Sequence, residues 1–413
     1  MIQFHKFKLK NNLTVIVHED ESTPMACVNI LYDVGARDES EEKTGFAHLF
    51  EHLMFGGSIN IPNYDEPLQN VGGENNAFTT NDITNYYCTV PAENLETAFW
   101  LESDRMLSLA FTDKSLEVQR SVVIEEFKQR YLNQPYGDVW LLLRPLAYEK
   151  HPYKWATIGK EIKHIEDARM SDVKDFFKKH YTPSNAIMVV AGKVKLEQVK
   201  QLCEKWFEPI PSGEKPKRDL PVEPKQEKER ALTVERDVPA TAIYKTYHMC
   251  SRRDKEYHTI DVISDILSRG NSSRLYKSLV KEKQLFSEIN AYVMGDFDEG
   301  LFVVSGKLPD GVDVKSAELG ITEELNKIAT EKIDDKELRK CKNKVESTLI
   351  FSETDVLTKA TNLAIAELLG DANEVNTEID KYEAVTAEGI LEQAKLLFNE
   401  KNCSTLYYLA KQK

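Results

Sequence analysis

The 413-residue sequence has no Cys-x-x-Cys pair, no long apolar run and no excess of positive charge. Its six cysteines, Cys27, Cys88, Cys203, Cys250, Cys341 and Cys403, are scattered, and read as small buried hydrophobes in a reducing compartment. No stretch approaches the ~18 uncharged apolar residues of a membrane-crossing helix. The opening, MIQFHKFKLKNNLTVIVHED, alternates from its start and has no signal-type apolar segment. A cytoplasmic location is therefore expected, or a periplasmic one had a leader been removed. With 54 basic against 68 acidic side chains, net −14, the chain is a poor candidate for nucleic-acid binding. Hydrophobic residues at 41% and charged residues at 30% exclude collagen-like, low-complexity and largely disordered chains. The length exceeds one compact core and points to two or three domains.

Alternating apolar text predicts strands at 13–18, 26–33, 76–80, 84–90 and 185–191. Helices are expected over 44–56, with Thr44 as N-cap and Gly56-Gly57 as the stop, after Pro91, over 115–131 and over 195–207. Residues 210–230 (IPSGEKPKRDLPVEPKQEKER) carry four prolines and many charges, and read as an exposed linker. The second half then repeats the first in outline. Asn290-Ala291-Tyr292 echoes Asn76-Ala77-Phe78, Pro309 echoes Pro91, and Asn402 echoes Asn185, at offsets of 214, 218 and 217. Near-constant offsets of this size predict a duplicated α+β unit of about 210 residues. The expected domains are 1–209, a linker 210–230, and 231–413.

The strongest chemical signal is His48-Leu49-Phe50-Glu51-His52. On a helix, i and i+4 share a face, so both imidazoles can hold one metal ion. Glu51 borders that face, close enough to take a proton from an activated water. Zinc would lower the pKa of that water and polarise a carbonyl. H-x-x-E-H is the inverted form of the H-E-x-x-H zinc-peptidase motif. The apolar setting, GFAHLFEHLMFGG, argues against two merely solvated histidines. A third ligand must come from elsewhere. Val122-Val123-Ile124-Glu125-Glu126-Phe127 offers two carboxylates beside apolar residues.

H-x-x-E-H followed 70–80 residues later by V-V-x-E-E resembles the pitrilysin/insulinase family, which includes the mitochondrial processing peptidases. TGFAHLFEHLMFGGS, GGENNAFTTNDITNYY, PAENLETAFWLESDRM, HPYKWATIGK and YTPSNAIMVVAG are similar to it across the N-terminal half, and GNSSRLY more loosely in the second. The resemblance implies an α+β fold of two homologous α/β-sandwich domains, each a mostly antiparallel sheet flanked by helices, forming half of a clamshell chamber. It implies zinc-dependent peptide hydrolysis with one Zn2+ per chain. His48, His52 and Glu126 become the metal ligands, with Glu125 as the fallback, and Glu51 the general base. A second carboxylate usual on that helix is Gln119 here. Asn76, Ala77, Phe78 and Thr79 match the family's edge strand, where substrate backbone adds as a further strand. Tyr86 and Tyr87 in the paired strand read as core.

Members that act alone carry an Arg and a Tyr, seven apart, in the C-terminal domain; the Tyr stabilises the oxyanion. Those positions are Val280 and Ser287 here. The expectation is therefore a heterodimer with a paralogue that lacks H-x-x-E-H but carries Arg/Tyr. A homodimer using Lys281 or Arg274 is the fallback. The function expected is an endopeptidase acting on short or unfolded peptides in a closed chamber. The alternatives are a non-catalytic assembly subunit and a targeting-peptide processing peptidase. No nucleic-acid or membrane partner is expected.

Overall fold

A computed structural model describes residues 1–411. The chain forms two compact units, each built on one mixed sheet. The first sheet uses β1 (His5–Lys8), β2 (Thr14–Glu19), β3 (Met25–Tyr32), β4 (Glu74–Thr79), β5 (Thr84–Pro91) and β6 (Ala186–Gly192), in the order β1-β2-β6-β3-β5-β4. The second uses β7 (Arg230–Arg236), β8 (Ala242–His248), β9 (Glu288–Met294), β10 (Leu301–Lys307) and β11 (Cys403–Ala410), in the order β7-β11-β8-β10-β9. Apart from β1 the two orders are the same. One neighbouring pair in each is parallel, β2 with β6 and β7 with β11, and the rest are antiparallel. Thr84 and Leu301, and Ala186 and Cys403, open matching strands 217 residues apart. The fold is the duplicated α+β sandwich, and the repeat runs through every equivalent strand.

The units are not continuous in sequence, which corrects a division at a single linker. The first comprises Met1–Arg130, Trp155–Leu220 and Ile350–Thr377; the second comprises Tyr131–Lys154, Pro221–Leu349 and Glu378–Lys413. In the first unit α1 (Phe46–Leu53), α2 (Leu95–Leu107) and α3 (Asp113–Phe127) follow one another. The chain then enters the second unit, where α4 (Val139–Ala147) sets Val139 and Leu143 against Ala242, Leu406 and Tyr408 of the second sheet. It returns for α5 (Met170–His180). In the second unit α6 (Tyr257–Ser268), α7 (Val314–Thr330) and α8 (Asp335–Ser352) surround a core centred on Ile263, Phe302 and Ile321. The chain then goes back to the first unit as α9 (Val356–Leu369), which packs on β3 and β6, before α10 (Ala387–Leu397) closes the second. Val139 and Val356 open α4 and α9 at the same 217-residue spacing. The duplication thus includes a reciprocal exchange, each half lending one helix to the other's sheet. Both faces of β6 are covered, which is why all seven of its residues, AIMVVAG, are buried.

Lys359 on α9 ties this helix to β2 through Asp20 (2.6 Å), both side chains being largely buried. The Lys359 ammonium, and then Ser22, hold the Asp20 carboxyl well below the usual carboxylate range. A depressed folded-state pKa stabilises above the ordinary carboxylate pKa of about 4, and that contribution fades as the pH falls below it. Asp20→Asn is expected to cost about 3 kcal/mol at neutral pH by leaving Lys359 uncompensated. The loss should shrink at pH 2–3 in urea titrations; an equal loss at both pH values would contradict the ion-pair account.

The segment before β7 has no regular secondary structure, but it is not simply exposed. Arg218 reaches Asp38 (2.6 Å) and Asp33 (2.8 Å) in the first unit. Glu223 is buried in the second, accepting hydrogen bonds from the N–H groups of Glu149, Lys150 and His151, each at 2.8 Å. Among the described residues no helix is long and apolar enough to cross a membrane.

Candidate metal centre

Helix α1 is short and strongly two-sided. Phe46, Ala47, Leu49, Phe50 and Leu53 are buried. Phe50 stacks on Tyr181 (ring centroids 4.6 Å apart) and packs against Phe176 and Phe177 of α5. That aromatic wedge fixes the roll of the helix and turns His48, Glu51 and His52 away from it. Thr44 is not the N-cap. Gly45 is, with φ +85°, and a Cβ there would meet the Ile158 carbonyl oxygen at 2.6 Å. The Thr44 hydroxyl instead lies 2.8 Å from His164 Nδ1 and accepts from the Lys160 N–H. The free N–H groups of the helix are met by Glu39, a buried carboxyl accepting from Gly45 and Ala47 at 2.8 Å each. Burial pushes the Glu39 carboxyl up to about 8, against the pull of those N–H bonds.

Glu126 lies near the end of α3, just before one π-helical turn, Lys128–Leu132. Its Oε2 sits 3.6 Å from His48 Nε2 and 3.3 Å from His52 Nε2. Its Oε1 is held by Arg130 at 2.9 Å, one turn on. Glu125 points elsewhere and pairs with Lys128 at 2.7 Å. Of the two carboxylates left open by the sequence pattern, Glu126 is the one that meets the imidazoles. One atom from each of His48, His52 and Glu126 lies within 4.8 Å of the others, the only such trio among the described residues. Donors on a tetrahedral zinc at ~2.0–2.1 Å are about 3.3–3.4 Å apart, so the residues present fit that ion. Burial, and then His52, hold His48 down to about 4, keeping its imidazole neutral, the form that ligates. Its buried Nδ1 has no hydrogen-bond partner. The His52 hydrogen bond is the largest of the effects that hold Glu126 below the usual carboxylate range.

Glu51 stands beside this trio, its carboxyl raised mainly by burial. Thr79 Oγ1 donates to Glu51 Oε2 at 2.5 Å, so the strand carrying Asn76, Ala77, Phe78 and Thr79 touches the acid directly. That strand, β4, is an edge of the first sheet and pairs only with β5. The Ala77 N–H donates to Asn76 Oδ1 (2.8 Å), on a strand whose other side has no neighbouring strand in the sheet. Tyr86, opposite Ala77, is fully buried, as expected of core. Sequence reading missed Glu39 and the Thr79–Glu51 bond. No spacing rule announces either, whereas the i, i+4 step from Glu126 to Arg130 does announce their pair.

The chain is thus built from duplicated α+β units, with H-x-x-E-H on the first α-helix of one and absent from the other. The chain belongs to the insulinase family of peptidases, family M16. Residues 14–157 match the family described as Insulinase (Peptidase family M16), and residues 168–345 match the Peptidase M16 inactive domain. The zinc protease PqqE of Helicobacter pylori is 33% identical over 341 residues, covering 81% of this chain and 76% of that protein. The mitochondrial-processing peptidase subunit beta of Saccharomyces cerevisiae is 30% identical over 212 residues, 51% of this chain and 45% of that one. Among solved structures, a protease from Helicobacter pylori superposes with a TM-score of 0.92 at 27% identity, covering 99% of this chain and 100% of that one. Pitrilysin gives 0.78 at 19% identity over 99% of this chain and 45% of its own, a likeness of fold.

Proposed function

We propose that the chain is a zinc-dependent endopeptidase acting on short or unfolded peptides within an enclosed chamber. The observation that carries this reading is the meeting of His48, His52 and Glu126 beside Glu51. The naming of relatives as zinc proteases supports the choice of metal. His48, His52 and Glu126 would hold one Zn2+ per chain, with Arg130 keeping Glu126 Oε2 turned toward the imidazoles. Bound zinc supplies a lowered water pKa and polarisation of the scissile carbonyl. Glu51 takes the proton from the attacking water and passes it to the leaving amine. Thr79 occupies Glu51 Oε2, which leaves Oε1 for that proton. The open edge at Asn76–Thr79 accepts the peptide as an added strand, reading main chain rather than sequence.

The chain is the zinc-bearing half of a heterodimer in this reading. Val280 and Ser287 stand where an Arg/Tyr pair is needed. Arg274, a candidate substitute in a homodimer, is already forked by Glu337 at 2.6 and 3.1 Å, which favours a partner that brings its own Arg. The test combines metal analysis, native mass and hydrolysis of a quenched fluorescent peptide. One zinc per chain is expected, with activity abolished by a chelator and restored by zinc. Turnover of the isolated chain should be low and rise when an Arg/Tyr paralogue is added. Full activity of the chain alone would overturn the heterodimer, and full activity without metal would overturn the whole reading.

A further inference from the structure

The C-terminal unit holds a cavity of about 240 Å3 between the end of α6, the turn that follows it, and α8. Asp265, Arg269, the turn Gly270–Ser272, Lys340 and Lys344 line it. Asp265 is already engaged by Arg269, at 2.9 and 3.2 Å. Lys340 and Lys344 stand one helical turn apart, and neither has a carboxylate partner among the described residues. Lys340 Nζ donates to Ser272 Oγ at 3.2 Å. Lys344 Nζ lies over Gly270, where a Cβ would meet it at 3.3 Å and where φ is +91°. Arg269, Lys340 and Lys344 thus face the single carboxylate of Asp265, which also feels the Lys344 charge, and the cavity carries a net positive charge in a chain whose net charge is −14. Like charges at i, i+4 repel, and holding them together without a full counter-charge is a cost that a bound anion would remove. Asn271 and Ser272 supply backbone N–H groups that donate to no acceptor among the described residues.

We propose that this cavity binds a phosphoryl group, either free phosphate or a phosphate monoester. A phosphoryl dianion matches two uncancelled charges. Its tetrahedral oxygens can face the two ammonium groups on one side and the turn's N–H and hydroxyl donors on the other. A carboxylate brings one charge and suits a planar guanidinium fork, and Arg269 already has its own carboxylate. The site belongs to the second unit and shares no residue with the metal centre.

The test is calorimetric titration of the full chain with inorganic phosphate, glycerol phosphate and succinate, at ionic strength held constant with chloride. Saturable one-site phosphate binding is expected, weakened at least about tenfold, or 1.4 kcal/mol, in the Lys340→Gln/Lys344→Gln double variant. Both lysines are exposed and repel one another, so the phosphate-free unfolding midpoint of that variant should be no lower than wild type. Glycerol phosphate binding as tightly as phosphate points to a monoester as the ligand, and a clear preference for inorganic phosphate to the free ion. Equal affinity for succinate, equal phosphate affinity in the double variant, or no saturable phosphate binding would overturn the proposal.

Discussion

The Glu51→Gln protein is expected to keep its zinc and lose peptide hydrolysis. Gln preserves the shape of the side chain, and its carbonyl oxygen can still accept from Thr79 Oγ1, so α1 should not move. What it loses is the capacity to take a proton. General-base catalysis is worth on the order of 10²–10⁴-fold, and kcat/KM should fall by about 10³-fold. The His48→Ala protein differs in kind, since it should lose metal and turnover together. Its hole lies on the partly buried side of α1, so some loss of stability is expected as well. Metal content and single-turnover cleavage of one fluorescent peptide, measured on both variants, separate the roles. Glu51→Gln cleaving at the wild-type rate would remove Glu51 from the chemistry.

Much of the metal centre is written locally, because a helix converts sequence spacing into geometry. His48 and His52 need only the i, i+4 rule, and the apolar positions between them say which way the helix rolls. Glu126 is harder, because it lies 74 positions after His52 and periodicity alone leaves Glu125 open. The choice is made by packing: Val123 and Phe127 are buried, and that roll sends Glu125 toward Lys128 and Glu126 toward the imidazoles. The strands were legible through alternation, and the duplication through matching landmarks in the two halves. The N-cap was not. Thr44 is the residue type a cap prefers, but its hydroxyl is drawn to His164 and Lys160, and Glu39 does the capping from a preceding loop. The prolines and charges of 210–230 describe the lack of helix and strand correctly. They say nothing of Arg218 and Glu223, whose partners lie far away in sequence.

The exchange of helices is invisible to any local pattern, and it carries the second large prediction. A fragment ending at residue 209 contains every strand of the first sheet and the whole metal centre, yet it is expected not to fold. It lacks α9, whose Val356, Ala360, Leu363, Ala364 and Ala366 are buried in the first unit. It also lacks Lys359, leaving Asp20 without its partner, and Thr361, which approaches the buried Asn29 (3.4 Å). Stripping α9 would open one face of β3 and β6, strands buried throughout except at Met25. At about 1–3 kcal/mol for each larger apolar side chain and somewhat less for alanine, the loss reaches roughly 5–10 kcal/mol. A domain of this kind has only about 5–15 kcal/mol to lose. The fragment should therefore bind a hydrophobic dye, show weak near-ultraviolet dichroism and unfold without a cooperative transition. Adding residues 350–377 in trans, or fusing them through a flexible linker, should restore a sharp transition and zinc binding together. A 1–209 fragment that unfolds cooperatively and binds zinc unaided would show that α9 is a cover the first sheet can do without.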